Sequence, residues 1–361
     1  MLLIEQLLAK AGTTSPPSAN RFLYTWGGNL FNQLAAPLTD TLSWTAISAG
    51  ERHTAAIRSD NLLFTWGRNA EGQLGDGTLI NKSSPVQIGS SSWTAVHAQG
   101  SHTAAVRSDG YLFTWGRNNS GQLGDSTRID KSSPVQIGSS SWTAVSAGIY
   151  HTVAIRSGGT LFTWGNNGSG QLGTEVYTET LSWTAVAASQ NHTAAIRSDG
   201  YLFTWGFNSY GQLGDNTTTA KSSPVQIGSS SWTAVSVGQN HTIAIRSGGT
   251  LFTWGLNTNG QLGDNTTTGR SSPIQIGSSS WTLVDAGYRH NMAIRFGGTL
   301  FAWGQNNYGQ LGDVTTTQRS SPVQVGAAAG FSSSSWTAVS AGQLHTAAIR
   351  SGGILPSTNR I

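Results

Sequence analysis

His241–Asp264, HTIAIRSGGTLFTWGLNTNGQLGD, is the stretch from which the rest of the chain can be read. It recurs seven times with small edits. Its Trp-Gly pair falls at Trp26, Trp66, Trp115, Trp164, Trp205, Trp254 and Trp303, so the spacings are 40, 49, 49, 41, 49 and 49 residues. A period of this size marks a repeat architecture, in which one unit cannot bury its apolar face and neighbours must stack. Ser231–Gly238 (SWTAVSVG), His241–Arg246 (HTIAIR) and Thr250–Trp254 (TLFTW) each alternate in the manner of a strand. Gly-Gly or Asp-Gly pairs between the second and third are hairpin signals. Ser223–Ile227 (SPVQI) reads as a fourth strand, with Pro224 tolerable on an edge.

Four short antiparallel strands per unit, repeated seven times, predict an all-β fold: a seven-bladed β-propeller of four-stranded blades. The Ala/Ser/Gly-rich strand should lie innermost, where blades converge. The last unit supplies Trp336–Gly342 and His345–Arg350 but reads ILPSTNRI where TLFTWG is due, and the chain opens with the missing piece, Arg21–Gly27 (RFLYTWG). The N-terminal strand is therefore expected to complete the last blade and close the ring, leaving no open sheet edge. This divides the chain into residues 21–361, the propeller, and residues 1–20, outside it. There, Leu2, Leu3, Ile4, Leu7 and Leu8 fit a short amphipathic helix, followed by the linker GTTSPPSAN. Such a helix is too short to be stable alone. Leu3, Ile4, Leu7 and Leu8 accordingly read as a docking segment.

The unit at 102–125, HTAAVRSDGYLFTWGRNNSGQLGD, resembles the regulator-of-chromosome-condensation (RCC1) repeat, and the likeness covers residues 21–353. The resemblance implies a seven-bladed propeller. The family's name-giving members bind chromatin and promote nucleotide exchange on a small GTPase, using a basic N-terminal arm and a wedge protruding from one blade. Here residues 1–20 hold only Lys10 as a base, and the longest inter-strand addition is AAAGF at 327–331. Both departures argue against exchange and chromatin binding. A similar propeller serves as a bacterial β-lactamase inhibitor that caps an enzyme with its loop face, which makes an inhibitor or adaptor, secreted or intracellular, the alternative reading.

Charged residues are 10% of the 361, against roughly 25% in soluble domains. The formal net charge of +4 is small for this length. There is no cysteine, which excludes disulfides and thiol chemistry. No apolar run approaches the roughly 18 residues of a membrane span. The sequence MLLIEQLLAKAG lacks the basic start and long apolar core of a signal peptide. The expectation is a cytoplasmic protein or one assembled in a host cytoplasm into a virion, as a capsid or tail-associated protein of a bacteriophage.

The columns repeated in every unit read as structural. Fourteen Trp should glue blade to blade. The seven His (His53, His102, His151, His192, His241, His290, His345) lie too far apart around a ring to share one ion, and buried hydrogen bonding accounts for them better. Asp76, Asp125, Asp215, Asp264 and Asp313 follow GQLG and favour side-chain-to-backbone turns. No catalytic triad, phosphate loop or acid pair stands out, so neither an enzyme nor a cofactor is expected.

Positions where the units differ carry the functional signal. In an antiparallel meander the first-to-second turn and the third-to-fourth loop emerge on one face, and the remaining turns on the other. The other face is nearly uniform, RSDG or RSGG and IGSSSW. The first face varies and is rich in Arg and aromatic residues: Arg52, Arg68, Arg117, Ile149, Tyr150, Phe207, Tyr210, Tyr288, Arg289, Tyr308 and Leu344. Each of its five long loops adds a cation, Lys82, Lys131, Lys221, Arg270 or Arg319. Arg and aromatic residues that fold symmetry does not require are the composition of a protein-recognition surface. The reading is a non-enzymatic binding or assembly module with protein partners, other subunits of an assembly among them. Neither a small-molecule substrate nor a nucleic acid is indicated.

Overall fold

The computed structural model describes residues 21–34, 43–174, 182–326 and 335–352. Within them the chain is strand and turn, with no helix. The helix expected in residues 1–20, with Leu3, Ile4, Leu7 and Leu8, lies outside the described residues.

One unit shows how the sequence makes the sheet. Trp232–Val237, His241–Arg246, Leu251–Gly255 and Arg270–Gln275 pair in that order as an antiparallel meander. Gly248 and Gly249 make the tight turn between the middle strands with φ of 92° and 85°, a region that costs glycine little. Gly255, opposite His241, has φ of 106°, and a Cβ there would lie 2.7 Å from the His241 Cα. That contact is why the Trp that ends each third strand is followed by Gly. The second strand is buried except for its final Arg, whereas the outer strand is half exposed.

The strands form six hydrogen-bonded sheets, not the seven separate blades expected. The seven repeat units are all present, but Lys131–Ala147 runs unbroken for 17 residues. It is the outer strand of one unit and the inner strand of the next, and it fuses them into a six-stranded sheet. The run KSSPVQIGSSSWTAV is identical at 82–96, 131–145 and 221–235, so no residue marks which copy stays continuous. Nor, among the described residues, does every unit hold four strands. The closing sheet has three, as does the part of the fused sheet that ends at Leu161–Gly165. Both precede the shorter Trp-Gly spacings of 40 and 41 residues, which leave out the SPVQI strand.

Closure of the ring follows the sequence reading. Arg21–Gly27 pairs antiparallel with His345–Ser351, Gly27 opposite His345 and Arg21 opposite Ser351. Apolar clusters lie between units rather than within them. Ile57 and Leu63 of one unit pack with Trp93, Val96 and Trp115 of the next. The Trp of each Trp-Gly pair donates its Nε1–H to the carbonyl of the GQLG glutamine one unit earlier: Trp115 to Gln73 at 3.0 Å, Trp254 to Gln212 at 2.9 Å, and, across the closure, Trp26 to Gln310 at 3.0 Å. The long loop of each unit is thereby wedged against its neighbour.

Candidate functional site

Seven histidines form a closed circuit instead of a metal site. Each is fully buried and bonds through Nε2 to the residue after the histidine in the next unit: His53 to Thr103 at 2.9 Å, His102 to Thr152 at 2.9 Å, and so on to His345 and Thr54 at 3.0 Å. Each threonine hydroxyl donates onward to a glutamine carbonyl, as Thr103 does to Gln73 at 2.8 Å. The imidazole must therefore be the donor, which fixes a neutral Nε2–H tautomer. At one station Asn291 replaces threonine and accepts from His241. Burial holds these imidazoles down at about 3, and His241 at about 4. Among the described residues no cluster of His, Asp or Glu could hold a metal ion.

A second circuit lines the axis. The next-to-last residue of each inner strand's SWTAVSA motif reads Ser48, His97, Ser146, Ala187, Ser236, Asp285 and Ser340 around the ring, and at every station but Ala187 its side chain accepts an amide of the neighbouring unit. The amides of Ala98, Ala147, Ala188, Ala286, Ala341 and Ala49 bond in this way to Ser48, His97, Ser146, Ser236, Asp285 and Ser340. Ala187 is the one station with nothing to offer. Burial pushes the Asp285 carboxyl up, against the Ala341 amide and the Ser236 hydroxyl, which favour its charged form.

The first face divides into a mouth around this axis and a rim of long loops. At the mouth, turns link by backbone bonds, Ile149 N to Ser189 O at 2.9 Å and Gln239 N to Tyr288 O at 3.2 Å. Gln239 donates to Gln190 at 2.9 Å and to the Tyr288 hydroxyl at 2.7 Å, and receives Arg289 at 3.3 Å. Arg117 lies 5.6 Å from the Tyr150 ring centre and Arg289 lies 5.9 Å from that of Tyr288. Arg52 and Arg68 flank Phe31 at 4.7 and 5.9 Å. Burial, with Glu51 and Tyr150 nearby, raises the Tyr288 phenol against the opposing pull of Arg289. The structure thus gathers Arg52, Arg117, Tyr150, Tyr288 and Arg289 into one polar-aromatic mouth, together with Glu51, Gln190 and Gln239.

Other expected residues fall elsewhere. Ile149 is buried at 7% exposure and props the turn that presents Tyr150. Leu344 is half-buried, its carbonyl receiving the Gly28 amide at 2.7 Å. Arg68 is paired with Glu71. Phe207 and Tyr210 stack edge to face with ring centres 6.1 Å apart.

The five loop cations are not free charges. Lys82, Lys131, Lys221, Arg270 and Arg319 pair with Asp76, Asp125, Asp215, Asp264 and Asp313 at 3.3, 3.5, 3.6, 3.1 and 2.7 Å. Each Asp also accepts from a Thr and an Asn of its own loop, as Asp76 does from Thr78 and Asn69. Burial alone would raise the Asp76 carboxyl, but these bonds outweigh it and lower it. The pairs set the loop shape.

That shape presents apolar tips the sequence reading passed over. Leu30, Leu79, Ile80, Ile129 and Val314 are each at least 60% exposed, with Tyr210 and Tyr308 at 46% beside them. Val314 stands where Gly77, Ser126, Asn216 and Asn265 stand in other loops, all at positive φ. Its own φ of 63° is a strained one for a β-branched side chain. Comparing those five positions would have found it.

With this geometry, known proteins can be compared. Solved structures share the fold: Prp20p of Saccharomyces cerevisiae, studied for its binding to Gsp1p and histones, aligns with a TM-score of 0.81 at 18% identity over 93% of each chain. Human WBSCR16 aligns with a TM-score of 0.80 at 20% identity over 93% of this chain and 100% of its own. The ultraviolet-B receptor UVR8 of Arabidopsis thaliana is 38% identical over 78 residues, 18% of either chain. None of these supports the capsid, tail or assembly-subunit expectation. No helix among the described residues is long and apolar enough to cross a membrane. The regulator of chromosome condensation (RCC1) repeat model matches residues 60–106, 109–155, 199–245, 248–294 and 297–349, and the chain belongs to that family of β-propellers.

Proposed function

We propose that this chain is a non-enzymatic protein-binding module whose first face receives a protein partner. The Arg–Tyr mouth anchors the partner and the apolar loop tips frame it. One observation carries this reading. Of the exposed large apolar side chains among the described residues, Leu30, Leu79, Ile80, Ile129, Tyr210, Tyr308 and Val314 stand on the first face and Phe296 alone on the second. Apolar side chains gathered on one face mark interaction surfaces, and Tyr and Arg are the residues on which binding energy concentrates. A protein ligand also agrees with Prp20p, which shares the fold and is described with Gsp1p and histones. An inhibitor or adaptor that caps another protein would use the same face, and would be told apart by its effect on that protein's activity.

The rim supplies the test. Leu79→Ser, Ile80→Ser and Ile129→Ser together leave every described hydrogen bond of the ring in place. The variant should keep its circular dichroism and lose a partner retained by the unaltered protein from extracts of the source cells. Retention undiminished in a folded triple variant would remove the rim from the proposal.

A further inference from the structure

Every second strand ends at the second face in an arginine, and the seven stations are not alike. Arg58, Arg107 and Arg197 are followed two residues later by Asp60, Asp109 and Asp199. Each of these pairs closes through Nη2, at 2.6, 2.5 and 2.7 Å, and through Nε, which reaches both carboxylate oxygens. Arg350 gives its Nε–H to the Ser335 hydroxyl at 2.9 Å. At Arg156, Arg246 and Arg295 a glycine, Gly158, Gly248 or Gly297, stands where the aspartate would be. Their Nε–H groups are buried and have no acceptor among the described residues.

The aromatic rings take up part of the difference. The Arg156, Arg246 and Arg295 guanidinium carbons lie 4.2, 3.9 and 4.0 Å from the ring centres of Phe162, Phe252 and Phe301. In the aspartate-paired stations the same distances are 4.6, 4.8 and 4.8 Å, to Phe64, Phe113 and Phe203. A ring face attracts the cation but leaves the in-plane Nε–H unanswered, and a buried donor without an acceptor is costly. The place of the missing carboxylate is also vacant. A Cβ built at Gly158, Gly248 or Gly297 would meet nothing within 4 Å.

We propose that Arg156, Arg246 and Arg295 form a second recognition surface, on the second face, that takes Asp or Glu side chains of an acidic protein segment. Each carboxylate would sit as Asp60, Asp109 and Asp199 sit in their own units. Only three cations are open, Arg197 between them is neutralised by Asp199, and the formal net charge is +4. That is too little field for a phosphate backbone, which needs many contacts, but it suits separate carboxylates held by the guanidinium fork. Phe296, next to Arg295 and 82% exposed, offers the segment an apolar contact. The inference is independent of the first-face reading.

The test follows the arginine Nε–H resonances by NMR. Hexaglutamate should shift those of Arg156, Arg246 and Arg295 and leave those of Arg58, Arg107 and Arg197 in place, and hexaglutamine should shift none. A Gly248→Asp, Gly297→Asp variant gives two open stations a carboxylate of their own, and at 246–249 it writes the RSDG turn already present at 107–110 and 197–200. It should weaken hexaglutamate binding about tenfold, the worth of one charge-assisted hydrogen bond. The converse Asp109→Gly, Asp199→Gly variant should bring Arg107 and Arg197 into the titration. Signals unmoved at millimolar hexaglutamate, an equal response to hexaglutamine, or undiminished affinity in the folded Gly248→Asp, Gly297→Asp variant would overturn the proposal. A short DNA duplex that bound more tightly than the peptide would assign the stations to phosphate and overturn it too.

Discussion

Acidification should attack this fold through its histidine circuit, at a pH where most carboxylates are still indifferent. Each of the seven ring histidines is fully buried, donates from Nε2, and is held down at about 3, or about 4 for His241. In six of them Nδ1 has no partner, so a second proton would meet a buried wall. His192 differs in having the Ser189 hydroxyl on Nδ1 at 3.0 Å. The unfolded chain binds protons on these residues near pH 6.5 and the folded chain does not. Their native pKa is depressed, so the stability present above 6.5 is lost as pH falls from there toward the native values.

At pH 5 the loss is about 2 kcal/mol for each histidine, since 1.5 pH units below 6.5 correspond to roughly 1.5 × 1.36 kcal/mol. Seven give roughly 14 kcal/mol, comparable with the whole stability of an ordinary domain at about 5–15 kcal/mol. The loop carboxylates, which are lowered, act in the same direction but only below about pH 4. Asp285, which is raised, opposes by at most one proton. The assay is urea unfolding at pH 7.5, 6.0, 5.5 and 5.0. His97 on the axis is likewise held down at about 3 by burial, so near pH 5.5 the slope of unfolding free energy should approach about 10 kcal/mol per pH unit, an uptake of about seven protons. An uptake of two or fewer, or native imidazole resonances that titrate above pH 5, would refute the reasoning.

Other outcomes follow from single contacts. Ala187→Ser restores the missing acceptor in the axial circuit and should raise stability by about 0.5–1.5 kcal/mol in urea unfolding. Trp26→Ala removes a buried side chain, its bond to Gln310 and its edge contact with Trp336 at the ring closure. It should cost about 3–5 kcal/mol, visible as a lower thermal midpoint. Asp313→Ala strips acceptors from Asn306, Thr315 and Arg319. The loop that carries Val314 should then lose its amide-exchange protection while the strands keep theirs.

The Trp-Gly and His-Thr columns made the ring legible because each serves the same contact seven times. The missing TLFTWG after Gly353 likewise announced the closure. What stayed hidden depended on backbone atoms or on loop shape. The glutamine of GQLG holds the next unit's Trp through its carbonyl, which any residue has, whereas its side chain serves its own loop by accepting the amide two residues earlier, as Gln73 does from Glu71, so the Trp contact leaves little trace. Lys82 and its equivalents looked like recognition charges because the Asp six residues earlier meets them only once the loop has curled. Ile149 looked exposed beside Tyr150, yet the turn folds it inward. The fusion of two units through Lys131–Ala147 could not have been read at all, since the same 15 residues break elsewhere.

The most direct measurement of the central claim compares two folded variants for retention of the same partner from source-cell extract. One carries Tyr288→Ala and Arg289→Ala at the first-face mouth. The other carries Ser139→Arg and Ser229→Arg on the second face. Binding through the first face predicts at least a tenfold loss of retained partner for the mouth variant and none for the second-face variant. The opposite pattern, or equal retention by both, would contradict it.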